Sequence, residues 1–575
     1  MQHRAHLTSL RIGYALRESL SRNNYSLIKF RKDLLAGITV GIIAIPLAMA
    51  LAIACGVDPQ YGLYTVIIGG VVIAITGGSQ FSISGPTAAF VVVLYPIVQH
   101  YGLGGLLIVT VLSGILLVAM ALLRLGRFIE YIPEAVTLGF TAGIAVVIAT
   151  LQIKDMLGLE IATMPEHYWH KLLLLFNHLD SADWQSMLVA TFTLATLIAW
   201  RKLGSIIPPH LPAIMLGSLL TVMLNSDGAN IATIGSRFQY TMLDGNLGFG
   251  IPDHLPSFTW PWLQPGSNGQ PLEMSWRLVS DLLPVSFVVA MLGAIESLLC
   301  AVVVDGMTGK RHSANSELLG QGLGNIIVPF FGGITATAAL ARTSANVKSG
   351  AQSPISAVIH ALVVLCSLLF LTPMLAYLPM PSMGALLLFV AWNMSEAPKA
   401  LHLIRSAPKS DLWVFFICFG FTVWFDMVIA ITAGILLAAV LFMKEIAEMV
   451  TVTDISNNKC YVHNEIPPRW RVFKVNGPLF FAAADRVFSE LAEKTDNLDG
   501  VILYLDAVPL LDAGGLAAMN RFIKKCQIYN TQVIFSDLQF QPLKTLARAG
   551  VQPIGGVTAY TPSLNEALKE MQRSA

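Results

Sequence analysis

The 575-residue sequence predicts an all-α polytopic membrane domain of fourteen segments followed by a small cytoplasmic α/β domain. Three observations carry that prediction. Hydrophobic residues make up 55% of the chain and charged residues 12%, with a mean hydropathy of +0.65, far from the composition of a soluble domain. Apolar stretches then recur from residue 34 to residue 446 with short charged connections between them. The pattern stops near Met449, and from about residue 468 strand-like runs alternate with helical periodicity.

Residues 1–32 hold Arg11, Arg17, Arg22, Lys29, Arg31 and Lys32 but no apolar core of a signal peptide, so no cleaved leader is expected. A helix needs about 20 apolar residues to cross a bilayer. Full or partial spans fall near 34–54, 62–77, 86–99, 103–123, 132–152, 184–200 and 211–225. A second set falls near 279–303, 317–331, 341–350, 353–372, 375–393, 411–426 and 428–446. The stretches opening at Pro86 and near Ala341 are too short to cross alone, which suits half-helices. Lys and Arg accumulate in cytoplasmic loops. The rule holds at most loops after even-numbered spans, which carry Arg124, Arg127, Arg201, Lys202, Lys310, Arg311, Arg405 and Lys409, with Lys348 at the end of the tenth span. Both termini are therefore expected in the cytoplasm.

Two small-residue interruptions stand out, Phe81–Phe90 and Gly332–Asn346. Irregular backbone at membrane depth survives only where protein or a water-filled cavity covers it. A matched pair of such breaks points to the binding site of a transporter. Other functions lose ground on composition. A net charge of +1 without basic patches argues against nucleic acid, and the six cysteines lack the spacing of a zinc or redox site. No G-x-x-x-x-G-K-[ST] motif occurs, so ATP does not drive the process. No nucleophile–base pair or metal cluster suggests an enzyme, and no cofactor is implied.

In the tail, Val472–Phe481, Val501–Asp506 and Val533–Phe535 read as strands, and 482–494, 513–529 and 542–549 as helices. The expected division is 1–32 cytoplasmic segment, 33–449 transport domain, 450–467 linker and 468–575 α/β domain.

Asp33–Gly41, Pro59–Tyr64, Ser82–Thr87, Glu317–Gly322 and Ala341–Ser344 resemble the SulP (sulfate permease) anion transporters, and the turn Asp506–Gly515 resembles the STAS domain they carry. Within the family, Ile132–Pro133, Val136–Phe140, Asp305–Gly309 and Ala391–Glu396 are most similar to bacterial C4-dicarboxylic acid transporters. The resemblance implies a seven-plus-seven inverted repeat, core and gate subdomains, and a homodimer.

Arg342 is the sharpest candidate for substrate binding. It lies at the start of an expected half-helix, where free N–H groups and the helix dipole favour an anion, and its guanidinium adds a permanent charge. An intramembrane charge costs about 2.5–3.5 kcal/mol even on insertion scales. A snorkelling or loop arginine is the alternative. The resemblance places a basic residue among small ones here, with Ala339, Leu340 and Ala341 offering N–H groups and Thr343 close by. On the opposing segment Pro86 is expected at the first helical position, Gly85 permits close approach, and Ser84 and Thr87 add hydroxyls. Close helix packing is the competing explanation of these small residues.

Glu296 sits midway through the apolar run Val285–Val304, where a titratable carboxylate can couple proton entry to anion entry. A structural acid paired with Arg342 is the alternative. The resemblance places the same position against the substrate; four residues on, Cys300 is a poor Na⁺ ligand, which favours protons over sodium. Pro46 is expected to kink the first span. Asp426 reads as a cap or gate residue, and His100 and His360 as membrane-edge and core histidines. In the tail Ala513 follows Asp512, so the phosphorylatable serine of switching STAS domains is missing.

The resulting expectation is a secondary transporter of a bacterial inner membrane, importing succinate, fumarate or aspartate together with H⁺. Lipid surrounds it, and an unidentified cytoplasmic protein binds its STAS domain. Sulfate or bicarbonate transport, and an anion-sensing regulator signalling through STAS, are the alternatives.

Overall fold

The computed structural model describes residues 10–574 except 22–24, 127–132, 162–163, 166, 204–207, 242–246, 426 and 464. Asp426, read above as a cap or gate residue, lies outside the described residues. The chain divides into two compact units, Met1–Ile435 and Leu436–Ala575.

The first half of the membrane unit contains α1 (Leu27–Ala54), α2 (Pro59–Thr76), β1 (Ser84–Gly85), α3 (Ala88–Leu122), α4 (Glu134–Leu157), α5 (Trp184–Lys202) and α6 (His210–Ser226). After a connection carrying the hairpin β2–β3 (Gln239–Thr241, Leu247–Phe249), the order recurs. It runs through α7 (Trp276–Thr308), α8 (Ala314–Ile327), β4 (Thr337–Ala338), α9 (Leu340–Lys348), α10 (Ile355–Phe370) and α11 (Met380–Met394). The amphipathic α12 (Ala397–Ser406) and α13 (Lys409–Trp424) follow, and α14 (Met427–Glu448) runs across the boundary into the second unit. Gly102, at φ 65°, divides α3 into two helices, which recovers the expected pair of spans within one continuous element. Two long helices, a paired break and a half-helix thus occur once in each half. That is the seven-plus-seven plan.

The helices sort into two packed groups. One joins α1, α2, α3, α7, α8, α9 and α10; the other joins α4, α5, α6, α11 and α13. Small residues let backbones approach in each. A Cβ at Gly37 or Gly41 of α1 would stand 2.7 Å from Ile359 or Val363 of α10. The connection between α6 and α7 is fastened to both groups. Its first part bonds through Ile234 N–H to Leu378 O (2.9 Å) and through an Arg237–Asp155 ion pair (2.7 Å). Its later part bonds through Thr259 N–H to Phe330 O at 2.8 Å, and Pro265 O accepts from Gly104 N–H at 3.1 Å.

The second unit holds a five-stranded sheet in the order β5-β6-β7-β8-β9. Strand β6 (Trp470–Asn476), β7 (Gly500–Ala507), β8 (Gln532–Ser536) and β9 (Thr558–Thr561) run parallel, with α15 (Ala484–Lys494), α16 (Ala513–Ile528), α17 (Phe540–Arg548) and α18 (Leu564–Ser574) between or after them. The central strands are apolar because both faces are covered. Phe473, Leu503 and Phe535 pack among Leu491, Met519 and Phe522 on one side, and Val472, Ile502 and Ile534 face Leu568 and Met571 of α18 on the other. Strand β5 (Thr451–Asp454), read from sequence as linker, pairs antiparallel with β6. Its residues stay largely exposed, so no apolar period marked it. Strand β9 is likewise half-exposed and short.

Candidate functional site

The two breaks meet. Ser84 pairs with Ala338 and Gly85 with Thr337 in a two-residue antiparallel ladder. Because the strands are antiparallel, α3 and α9 leave the ladder in opposite directions with both N-termini beside it. Neither helix start carries a side-chain cap: the N-caps are Thr87 and Ala339, and neither side chain returns to the helix N–H groups. The first turns therefore keep donors that no intrahelical partner can satisfy. The helix after the first break opens at Ala88, not at Pro86. Proline precedes the cap because its carbonyl is drawn into a bond with Arg342 and Gly85 is held extended by β4.

The nine sequence-predicted residues cluster around this ladder. Ser84 is buried, and its Oγ accepts from Gln321 Nε2 at 3.1 Å. At Gly85 a Cβ would lie 2.7 Å from Arg342 Nη1 and 3.2 Å from Val66 Cγ2, so any larger residue would have to push the guanidinium aside. Thr87 Oγ1 donates to Glu296 Oε2 at 2.9 Å, joining α3 to the middle of α7. Leu340 and Ala341, in the first turn of α9, are exposed. The Ala339 N–H, expected to face substrate, instead donates to Ile83 O at 3.0 Å, and Thr343 Oγ1 accepts from Ile83 N–H at 3.0 Å. Those two residues hold the strand.

Arg342 is turned inward. It is 1% exposed, its Nη2 donates to Pro86 O at 2.5 Å, and its Nε and Nη1 are buried without a hydrogen-bond partner among the described residues. Its charge thus stands behind β1, not out in front as a two-pronged fork. Glu296 lies within its electrostatic reach. No ion pair joins the two among the described residues, so Glu296 compensates the buried guanidinium only at a distance.

A polar ladder on α8 was not singled out from sequence, although its spacing is legible: Glu317, Gln321 and Asn325 recur every four residues and so share one helix face. Glu317 Oε2 accepts from the N–H groups of Gly78 and Ser79, each at 2.9 Å, and its Oε1 from Ser297 Oγ and Gln321 Nε2. Asn325 bonds both backbone groups of Ala336. The face touches the end of α2, strand β1 through Ser84, and the approach to β4. His360 is wholly buried in α10, as its reading as a core residue expects. Pro46 lies inside α1 without interrupting it.

Comparison with known proteins relates the chain to a family and a fold. The sulfate permease family matches residues 30–418, and the STAS domain matches residues 461–567. YvdB of Bacillus subtilis, provisionally named a sulfate transporter, is 37% identical over 92% of this chain and 95% of its own. The bicarbonate transporter BicA of Picosynechococcus is 26% identical over 88% of each chain. Among solved structures, the murine Slc26a9 anion transporter in its inward-facing state superposes with a TM-score of 0.82 at 17% identity, covering 96% of this chain and 94% of that one.

Proposed function

The chain belongs to the sulfate permease family of anion transporters, and on that premise we propose that it carries a small inorganic oxyanion, sulfate or bicarbonate, into the cell together with a proton. The observation that carries the reading is Arg342, a buried guanidinium with two unpartnered nitrogens beside two uncapped helix N-termini. An anion held at those N–H groups supplies the compensating charge.

The C4-dicarboxylate reading drawn from motif likeness gains no support from these relatives, whose names refer to sulfate and bicarbonate. Chemistry favours the same choice. One fixed cation suits a compact oxyanion, whereas a second carboxylate would have to rely on helix N–H groups and hydroxyls alone. Glu296, hydrogen-bonded to Thr87 at the substrate wall, is the proton acceptor in this reading. Relative movement of the two helix groups alternates access. The basic connections support a reading in which both termini and the STAS unit lie in the cytoplasm, where the latter serves a protein partner; the homodimer expected from resemblance belongs to the same proposal.

Uptake of labelled sulfate, bicarbonate and succinate into proteoliposomes, with and without an inward proton gradient, tests this. Saturable, gradient-stimulated uptake of sulfate or bicarbonate is expected. Preferential accumulation of succinate would restore the dicarboxylate reading.

A further inference from the structure

Thr87 sits where two tasks meet. As N-cap of α3 (φ −125°, ψ 155°) it occupies the position from which a threonine oxygen ordinarily accepts from a helix N–H. It makes no such cap. Its hydroxyl donates to Glu296 Oε2 instead, at 2.9 Å.

A threonine hydroxyl has one proton and two lone pairs, whereas an ionised carboxylate can only accept. While Glu296 is ionised, the Thr87 proton is therefore committed to it. When a proton from water adds to Glu296, one O–H bond forms there, and that O–H can donate to Thr87 Oγ1 across the same gap. Thr87 keeps its own proton, which turns about the Cβ–Oγ bond toward another acceptor. No heavy atom has to move. The acceptor that the uncapped start of α3 is suited to receive is the anion itself.

We infer that Thr87 and Glu296 form a hydrogen-bond polarity switch: protonation of Glu296 reverses the bond between them and converts Thr87 into an added donor to the bound anion. The inference rests on the transport reading above and deepens it, since it states how proton and anion binding favour each other. Deprotonation on the far side runs the step backwards, withdrawing the donor and returning the negative charge. Thr87 is a positioning residue for the proton and a binding residue for the anion.

Other ionisable groups around Glu296 set the background against which the switch works. Arg342 of α9 supplies a positive field, Cys300 lies on the same helix, and Glu317 of α8 reaches Ser297 next to it. His360 of α10 lies within the field of Arg342. The switch differs from simple charge repulsion in one respect: it requires the Thr87 hydroxyl.

Equilibrium binding of labelled sulfate, and in parallel bicarbonate, to the full-length protein in detergent separates the cases. Thr87→Val is expected to weaken binding on the order of 10- to 100-fold at low pH, the cost of a hydrogen bond to a charged ligand. At high pH, where that proton is already committed, it is expected to change little. In a Glu296→Gln background, whose amide can donate to Thr87 permanently, the Thr87→Val penalty persists at every pH. Thr87→Ser restores wild-type behaviour. A second readout needs no ligand: the infrared C=O band of protonated Glu296 shifts when Thr87→Val removes its acceptor. An equal penalty at low and high pH, or an unshifted band, overturns the switch alone. Saturable binding of neither anion to the wild-type protein overturns the transport reading and the switch with it.

Discussion

Asn325 and Ala336 exchange two hydrogen bonds of 2.8 Å, from Nδ2 to the Ala336 carbonyl and from the Ala336 N–H to Oδ1. This single side chain on α8 thereby completes the backbone bonding of the residue that leads into β4, deep in the protein. Irregular backbone here is tolerable because a side-chain amide reproduces what a strand neighbour would supply.

Asn325→Leu should therefore leave an N–H and a carbonyl buried without partners, at about 1–3 kcal/mol each. The expected result is a markedly lower melting temperature of the full-length protein in detergent. An unchanged melting temperature would show that β4 does not depend on this bond.

Gly85→Ala should act on the anion more than on the fold. Its methyl would press on Arg342 Nη1 at 2.7 Å, and the guanidinium is a movable end, so the charge shifts before the strand breaks. We expect sulfate affinity to drop at least about tenfold, roughly 1.4 kcal/mol, with near-normal expression. Titration of sulfate binding by tryptophan fluorescence checks this.

Arg342→Gln removes the guanidinium beside the ladder while keeping a group able to reach Pro86 O. Binding of either anion should fall by about 10- to 100-fold, the range for a hydrogen bond or ion contact to a charged group. Arg342→Lys should recover part of it. Binding of unchanged affinity in Arg342→Gln would remove Arg342 from the site.

In the STAS unit, Lys474 Nζ lies 3.0 Å from Asp506 Oδ2 and stands over the rings of Tyr461 and Tyr504 at 4.8 and 5.0 Å. Desolvation alone would lower its pKa, but Asp506 and then Tyr461 outweigh that and the net shift is upward. A raised lysine pKa stabilises the fold below the unfolded value and loses that contribution as pH rises through the folded one. Lys474→Met should thus loosen β6 and β7 at neutral pH, by about 1–2 kcal/mol. The difference from wild type should vanish at strongly alkaline pH. Amide hydrogen exchange of these strands in the full-length protein measures both.

Asp512 caps α16 through Gly515 N–H at 2.7 Å and also accepts from Phe481 N–H at 3.1 Å. Asp512→Ala should cost about 1–2 kcal/mol and fray the start of that helix, again visible by hydrogen exchange. Anion uptake should survive if the aspartate serves structure alone.

The membrane plan was legible in the sequence because burying apolar length in a bilayer imposes a period that composition cannot hide. The fourteen segments, the two breaks and the change of character near Met449 all follow from it. So do Arg342 and Glu296, since a charge in an apolar run requires a reason wherever it lies. The sequence alone likewise determined that Ser84, Gly85, Thr87, Ala339, Ala341 and Thr343 are small enough for backbone to be approached.

Only the tertiary structure decided what those residues do to one another. Hydrogen bonds across more than two hundred positions, such as Thr87 to Glu296 and Arg342 to Pro86, depend on which helices become neighbours, and no local period records that. The same packing turned Arg342 behind its strand and engaged the Ala339 N–H with Ile83. It also gave the four-residue polar spacing of α8 its purpose, and added β5 and β9 to a sheet whose edge strands carry little apolar signal. Burial forces each polar group to find a partner, and the partner's identity is a property of the folded chain.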